Sequence, residues 1–508
     1  MALGPLSFKY EASGRAGGLT AFAGLGVVLD LMALLELRDL VQQSVRLRHS
    51  DKAWPDYVMF MTLVLLSLAG GSCVDDVKQL RADSGLCRLF ERAILQGASR
   101  RLTRQLMRLI GKSGSPFPPP RTVLRWLRDF DQTLEQDRAK QGAATIVPRS
   151  ESLCGLWRVN EEIVAASQRC EPLCHATLDM DATLIFSKKD QALHTYKGPK
   201  GYQPFQIWWA EQQLLVLSEF RDGNVNAGYE QVRLLQDTIE QLPSTVESLS
   251  MRSDSAGYQV ELLRYCAEGK SERFGVIDFT VSTKVSLGFR NAVALLNETD
   301  WKDLVRPNGE TTNQQYAEVW YVPDWTVNSK SGPRYRFIAI REPLKLEDGT
   351  DPSQLELPFP THVMDNVAYK LFGLVTNIAA DKKTGAEIIW WSRGRAGHSE
   401  HFHDVVKNEL AGGIMPSGLF GANAAWWAIA CISANILTYL KRHFVPPGLR
   451  SARPKTLRYR LLNIAGRVTY HARGITVRIA VDHLRLLREI RARIGLRMGT
   501  PSAVISVQ

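Results

Sequence analysis

Near residue 175 the apolar pattern of the chain switches from helical spacing to alternation, and the order of elements that follows leaves few architectures open. HATLDMDATLIFSK reads as a strand, with Leu178 and Met180 on one face and Asp179 and Asp181 on the other. YQPFQIWWAEQQ and LLVLSEFRDG follow as strands, AGYEQVRLLQDTIEQL as an amphipathic helix, and TVESLSMRSDSAG as a strand ending in a turn. YQVELLRYCAEG then reads as a helix and RFGVIDFTVSTKV as another strand. Strands crossed by helices in the order β-β-β-α-β-α-β predict a mixed α/β sheet with covered faces.

Three carboxylates stand in distinctive frames. Asp181 lies within the first strand, Asp254 ends a later strand before Ser255-Ala256-Gly257, and Glu400 sits on a helical run that begins at TGAEIIWWSRGR. The two strands are neighbours in the expected sheet, and the helix packs over it. Three acids brought together this way suit two Mg²⁺ ions held against a nucleic-acid phosphate. Arg393, Glu400 and Lys407 recur every seven residues and are expected to share one helix face. Asp179 is a second candidate for the first position, and Asp404 and Glu409 are candidates for the third.

The element order resembles a ribonuclease H-like core. The motifs resemble those of the DDE transposases of bacterial insertion sequences, in the branch with a β-rich insertion between the second Asp and the Glu. DATLIF matches the family's first-Asp motif, an Asp followed by any residue and then Thr, and RSDSAGY matches its second. Glu400 and Lys407, with six residues between them, match the Glu-to-Lys half of its signature helix, and LAGG and PSGLFGANAAWW are phrases typical of the group. Trp390 replaces the signature Tyr, and six residues rather than three separate Arg393 from Glu400, so Arg395 competes with Arg393 for the signature arginine.

The resemblance implies that Asp181, Asp254 and Glu400 are the catalytic residues and the ligands of two Mg²⁺ ions, with Mn²⁺ able to substitute. It implies an enzyme that cuts transposon ends at terminal inverted repeats and joins the 3′-hydroxyls to target DNA (cut-and-paste), working on double-stranded DNA as a homodimer on paired ends. Lys407 and one of Arg393 or Arg395 would hold phosphates. Trp320 and Trp325 are candidates for stacking on a flipped base, against a reading as cross-strand packing residues. Two alternatives share these features: a ribonuclease H-like nuclease or resolvase without strand transfer, and a non-catalytic DNA-binding protein derived from a transposase.

The expected organisation is a helical DNA-end-binding domain over 1–145 and a catalytic core over 146–290. A β-rich insertion over 291–365 follows, then the rest of the core over 366–440 and a basic DNA-binding and dimerisation region over 441–508. The N-terminal part carries helical runs, one of them spanning AFAGLGVVLDLMALLELRDLVQQSV, and a basic zone that includes Arg104 and Arg125. SGSPFPPPR reads as a linker, with Pro119 and Pro120 outside any helix and Thr122 capping the next.

A net charge of +11 favours polyanionic partners. Seven scattered cysteines point to free thiols in a reducing cytoplasm, and the resemblance implies that of a bacterium, beside its nucleoid. Cys170, Cys174 and His175 lack the second ligand pair of a structural zinc site, and His401 and His403 lack the spacing of a zinc hydrolase. Gly111-Lys112-Ser113 lacks the upstream glycine of a phosphate loop, Leu106 occupying its place. MALGPLSFKYEASGR has no leader pattern. LFGANAAWWAIACISANILTYL (419–440) is long enough to cross a membrane, but Asn423, Ser433 and Asn435 suit a helix buried between other elements, and no membrane partner is expected.

Overall fold

Ten strands of one sheet carry the architecture: β1 His175–Ala182, β2 Phe205–Trp209, β3 Leu214–Glu219, β4 Ser248–Ser253, β5 Asp278–Ser282, β6 Lys302–Val305, β7 Thr311–Val319, β8 Arg336–Pro343, β9 Thr361–Met364 and β10 Val367–Thr376. The computed structural model describes residues 17–47, 50–131, 144–323, 335–344, 360–364, 367–471 and 474–499. β1 pairs antiparallel with β2 and parallel with β4, β2 pairs antiparallel with β3, and β4 pairs parallel with β5. Helices α3 (Gln231–Gln241) and α4 (Val260–Ala267) make the crossovers to β4 and β5. The order β3-β2-β1-β4-β5 with these senses is the ribonuclease H-like core that the sequence pattern predicts.

The sheet does not stop at β5. β10 pairs antiparallel with its outer edge, and β8, β7 and β6 continue outward, with β9 also on β10. The segment expected as a β-rich insertion therefore widens the catalytic sheet. It covers a ladder that would otherwise be an exposed edge.

The opposite edge, β3, is closed by side chains. Two helices pack there, α2 (Glu151–Cys170) and α6 (Phe420–His443). The Asn435 side chain of α6 accepts from Leu215 N at 3.0 Å and donates to Leu215 O and to Asn160 Oδ1, both at 2.7 Å. Asn160 of α2 donates in turn to the carbonyls of Leu215 and Val216, each at 2.9 Å. Trp427 Nε1 donates to Ser218 Oγ at 3.0 Å. α6 has the length and apolarity of a membrane span, yet that apolar window is completely buried inside the fold. Its asparagines, out of place in a lipid-facing helix, satisfy backbone groups of the edge strand.

The N-terminal helices share this core: α1 (Asp56–Ala69) packs in the same apolar cluster as α2, α6 and the sheet. Leu19–Thr20 pairs with Gly466–His471, which pairs with Gly474–Ile479. The expected boundaries at 145 and 441 thus mark changes of sequence character and do not divide the core. Two local expectations fail. The helical run over 20–45 breaks at Glu36 (φ 50) into Leu25–Leu34 and Leu37–Ser44. The helix expected to begin at Thr122 begins at Pro120, because proline at the first helical position gives up only an N–H that would lack a helical partner anyway.

Replacing Asn435 by Leu keeps the branched shape and takes the partner from Leu215 N and from Asn160 Oδ1. An expected loss of about 2–4 kcal/mol follows from several buried groups left unpaired, read as a lower denaturant midpoint.

Candidate active site

The parallel register of β1 and β4 builds the centre. Asp179 is level with Arg252 and Met180 with Ser253. The next residues, Asp181 and Asp254, therefore stand side by side at the carboxyl ends of adjacent strands. Asp254 turns the chain: its carboxylate accepts from Ala256 N at 3.0 Å and caps the turn Ser255–Gly257. A Cβ on Gly257 would lie 2.4 Å from Ser253 Oγ, so the turn needs glycine there. Burial first, and the negative charge of Asp181 second, push the Asp254 carboxyl above its ordinary pKa. Two acids this close form a negative site that a hard cation relieves.

α5 (Gly385–Asp404) lies across the sheet on the face of these aspartates. It starts with a capping box in which Thr384 Oγ1 accepts from Glu387 N and Glu387 accepts from Thr384 N. Ile388 and Ile389 bury against Leu304, Ile338, Ile340 and Leu374 of the widened sheet. Trp390 Nε1 donates to Val305 O at 2.7 Å. The helix is thus held at its start by the outer strands.

Its middle is held by a buried ion pair. Arg252 Nε and Nη2 donate to the two oxygens of Asp179 at 2.6 and 2.8 Å, and Nη1 donates to Trp391 O at 2.7 Å. A Cβ on Gly394 would come within 2.8 Å of Arg252 Nη1, so the arginine passes where only glycine leaves room. Asp179 is therefore not a stand-in for Asp181. It is fully buried and committed to a structural bridge.

Beyond Gly394 the helix presents cations to the centre. Arg395 Nη1 lies 3.1 Å from Asp181 Oδ2. His403 Nδ1 lies 3.9 Å from the same oxygen, too far for a hydrogen bond. Burial, then Lys407 and Arg395, push the His403 pKa down to about 3, so its ring is neutral at pH 7. Phe402 packs on Trp208 with ring centroids 4.5 Å apart. Lys407 Nζ donates to Thr183 Oγ1 at 2.9 Å, which joins the Thr of the first-Asp motif to the Lys of the helix motif.

The expected stripe of Arg393, Glu400 and Lys407 does not act as one face. Arg393 Nη2 donates to Gln314 Oε1 at 2.5 Å and stacks on Trp390, away from the aspartates. Arg395 takes the position beside Asp181. The π-turn Val405–Glu409 shifts the helical phase before Lys407. Glu400 is exposed. Among the described residues no three His, Cys, Asp or Glu side chains stand close enough to hold a metal ion, so the expected three-carboxylate cluster is not assembled here. At about 100° per residue, Glu400 sits roughly 60° around the helix from His403, the residue that faces Asp181.

The other third-position candidates are engaged elsewhere, Asp404 and Glu409 both pairing with Arg453. Trp320 is 89% exposed, which excludes the packing role for it, while Trp325 lies outside the described residues. Arg104 and Arg125 are exposed on their helices. Arg252 and the placement of His403 escaped the sequence reading. The signal for the first was the charged residue inside an otherwise uncharged strand, two residues before Asp254.

A family model described as transposase DDE domain, group 1, matches residues 148–495. Among solved structures, the chain is similar to the piggyBac transposase in a synaptic complex with hairpin DNA, at 10% identity over 96% of this chain and 85% of that one, with a TM-score of 0.33. A comparison with curated proteins found no match.

Arg252→Ala leaves the buried Asp179 charge without its arginine, and an expected loss of about 3–5 kcal/mol is measurable by denaturant unfolding. Exchanging both partners for apolar residues of similar size should recover much of it. For Asp254, the folded pKa is raised, so its contribution to stability is present below the ordinary carboxyl pKa and lost as pH rises through the raised one. Asp254→Asn is therefore expected to melt roughly 1–3 °C above wild type at pH 7 in EDTA, the gap closing as the buffer is acidified through the carboxyl range.

Proposed function

Because this chain belongs to the transposase DDE domain group 1 family, we propose that it cuts the ends of a DNA element at terminal inverted repeats and joins the freed 3′-hydroxyls to target DNA by phosphoryl transfer. The observation that carries this reading is the pairing of Asp181 and Asp254 at adjacent strand ends, with Arg395 and Lys407 beside them. In this reading Asp181 and Asp254 would hold two Mg²⁺ ions, with Glu400, exposed on α5, turning toward them as the third ligand. The oxygen donors and the raised Asp254 pKa fit such ions, and Arg395 now supplies the positive charge beside Asp181. Held there, Mg²⁺ (or Mn²⁺) would supply Lewis-acid chemistry at the attacking and leaving oxygens.

The protein's own groups do the rest. Lys407, anchored on Thr183, and Arg395 bind the phosphate oxygens flanking the cleaved bond. Neutral His403, buried between them, fills the space behind Asp181 without adding to the charge. Trp320, fully accessible, stacks on a base displaced at the element end. Arg104, Arg125 and the basic C-terminal region hold the duplex backbone. The working form is a homodimer on two paired ends, in the cytoplasm of a bacterium that carries the element as an insertion sequence.

The test uses a labelled terminal-repeat duplex taken from the DNA that flanks the reading frame. Asp181→Ala, Asp254→Ala and Glu400→Ala are each expected to cut it at least a hundredfold more slowly in Mg²⁺ while still binding it. Binding should weaken steeply with salt, with a log–log slope of about −0.9 per phosphate neutralised. Full cleavage by Asp254→Ala would refute the site assignment. Cleavage without joining of precut ends would favour a nuclease or resolvase, and binding without cleavage by wild type would favour a DNA-binding descendant.

A further inference from the structure

Between β1 and β2 the chain rises out of the sheet as a small finger. Ile185–Phe186, Leu193–His194 and Lys200–Tyr202 form a separate three-stranded sheet. Its base is fixed to the reaction centre. Thr183 carries the bond from Lys407, Gln191 Oε1 accepts from Phe420 N at 3.0 Å, and the Tyr202 hydroxyl accepts from Asn423 Nδ2 at 3.1 Å. Its tip is a closed turn. Gly198 N donates to Thr195 O at 2.9 Å, Thr195 Oγ1 donates to Pro199 O at 2.8 Å, and Gly198 adopts φ 97, a conformation that favours glycine.

On this rigid tip Tyr196 is 74% exposed, and Phe186 lower on the finger is 55% exposed. Lys197 Nζ stands 5.8 Å from the Tyr196 ring centroid. Lys188, Lys189, Lys197 and Lys200 face a single finger acid, Asp190, and none of the four lysines has an ion pair among the described residues. The finger leaves β1 two residues beyond Asp181, at Thr183, whose hydroxyl accepts from Lys407.

An aromatic ring held in water by hydrogen-bonded backbone has no packing role, and the entropy of ordering it is already spent. Bases in an intact duplex hide their faces in the stack, whereas an unpaired nucleotide offers one. We infer that the finger is a DNA-binding element of the reaction centre, in which Tyr196 stacks on an unpaired base next to the cleaved phosphate and Lys197 meets the backbone beside it. This deepens the proposed function and rests on it. Nothing in the motifs of the three carboxylates assigns it.

The test is fluorescence anisotropy of the full chain with two probes: the fully paired terminal-repeat duplex, and the same duplex with a few unpaired nucleotides at the cleaved end. Wild type should prefer the frayed duplex. Tyr196→Ala should weaken binding of the frayed duplex roughly tenfold and leave the paired one within about twofold, while Tyr196→Phe keeps the wild-type preference. Lys197→Ala should reduce the salt slope on the frayed probe by about 1. Equal affinity of Tyr196→Ala and wild type for the frayed duplex, or an equal loss on both probes, overturns the inference and leaves the transposase reading intact. Wild type that binds neither probe removes both.

Discussion

The bridge from Asp179 through Arg252 to the Trp391 carbonyl is the constraint on which the centre depends. It lies one step behind the reactive acids and ties together the three elements that carry the signature motifs: β1, β4 and α5. A bidentate arginine fixes direction as well as distance. With Asp179 and Arg252 locked level in the sheet, Asp181 and Asp254 cannot slip out of register, and the third contact sets the depth at which α5 crosses them. Gly394 is the sequence's accommodation to that crossing.

In front of the bridge, charge is arranged in conflict. Asp181 and Asp254 repel each other, and the protein answers with Arg395 on one of them and burial around the other. The neighbouring histidine stays uncharged, Lys407 leans on a threonine hydroxyl, and Arg395 stands directly against Asp181. The arrangement leaves the pair partly neutralised, and the oxygens remain at the surface end of their strands.

Much of the core was legible in the sequence because it depends on local pattern. Period-two alternation in HATLDMDATLIF and the turn after Asp254 mark strands whose ends meet in the parallel register of β1 and β4. The helix was less legible. A seven-residue spacing predicts one face only on a regular helix, and the π-turn at Val405–Glu409 breaks that regularity at Lys407. Arg393 and Glu400 lie on the regular part, and the residue that meets Asp181 there is Arg395, roughly 200° around the helix from Arg393. Arg252 could not be placed from spacing, because its partners lie on two distant segments. The helix start at Pro120 and the break at Glu36 turn on single backbone conformations that apolar periodicity does not encode.

The pairing of Leu19–Thr20 with Gly466–Arg467 joins segments about 450 residues apart in the chain. A contact of such long sequence separation forms only after the catalytic sheet between them has collapsed and brought its ends near each other. The growing chain on a ribosome consequently lacks this clasp, and with it the closed docking of the arginine-rich tail. The arginine-rich segment that follows, tied to the N-terminal helices through Arg491 and Asp30, takes its place only once the core between them has formed.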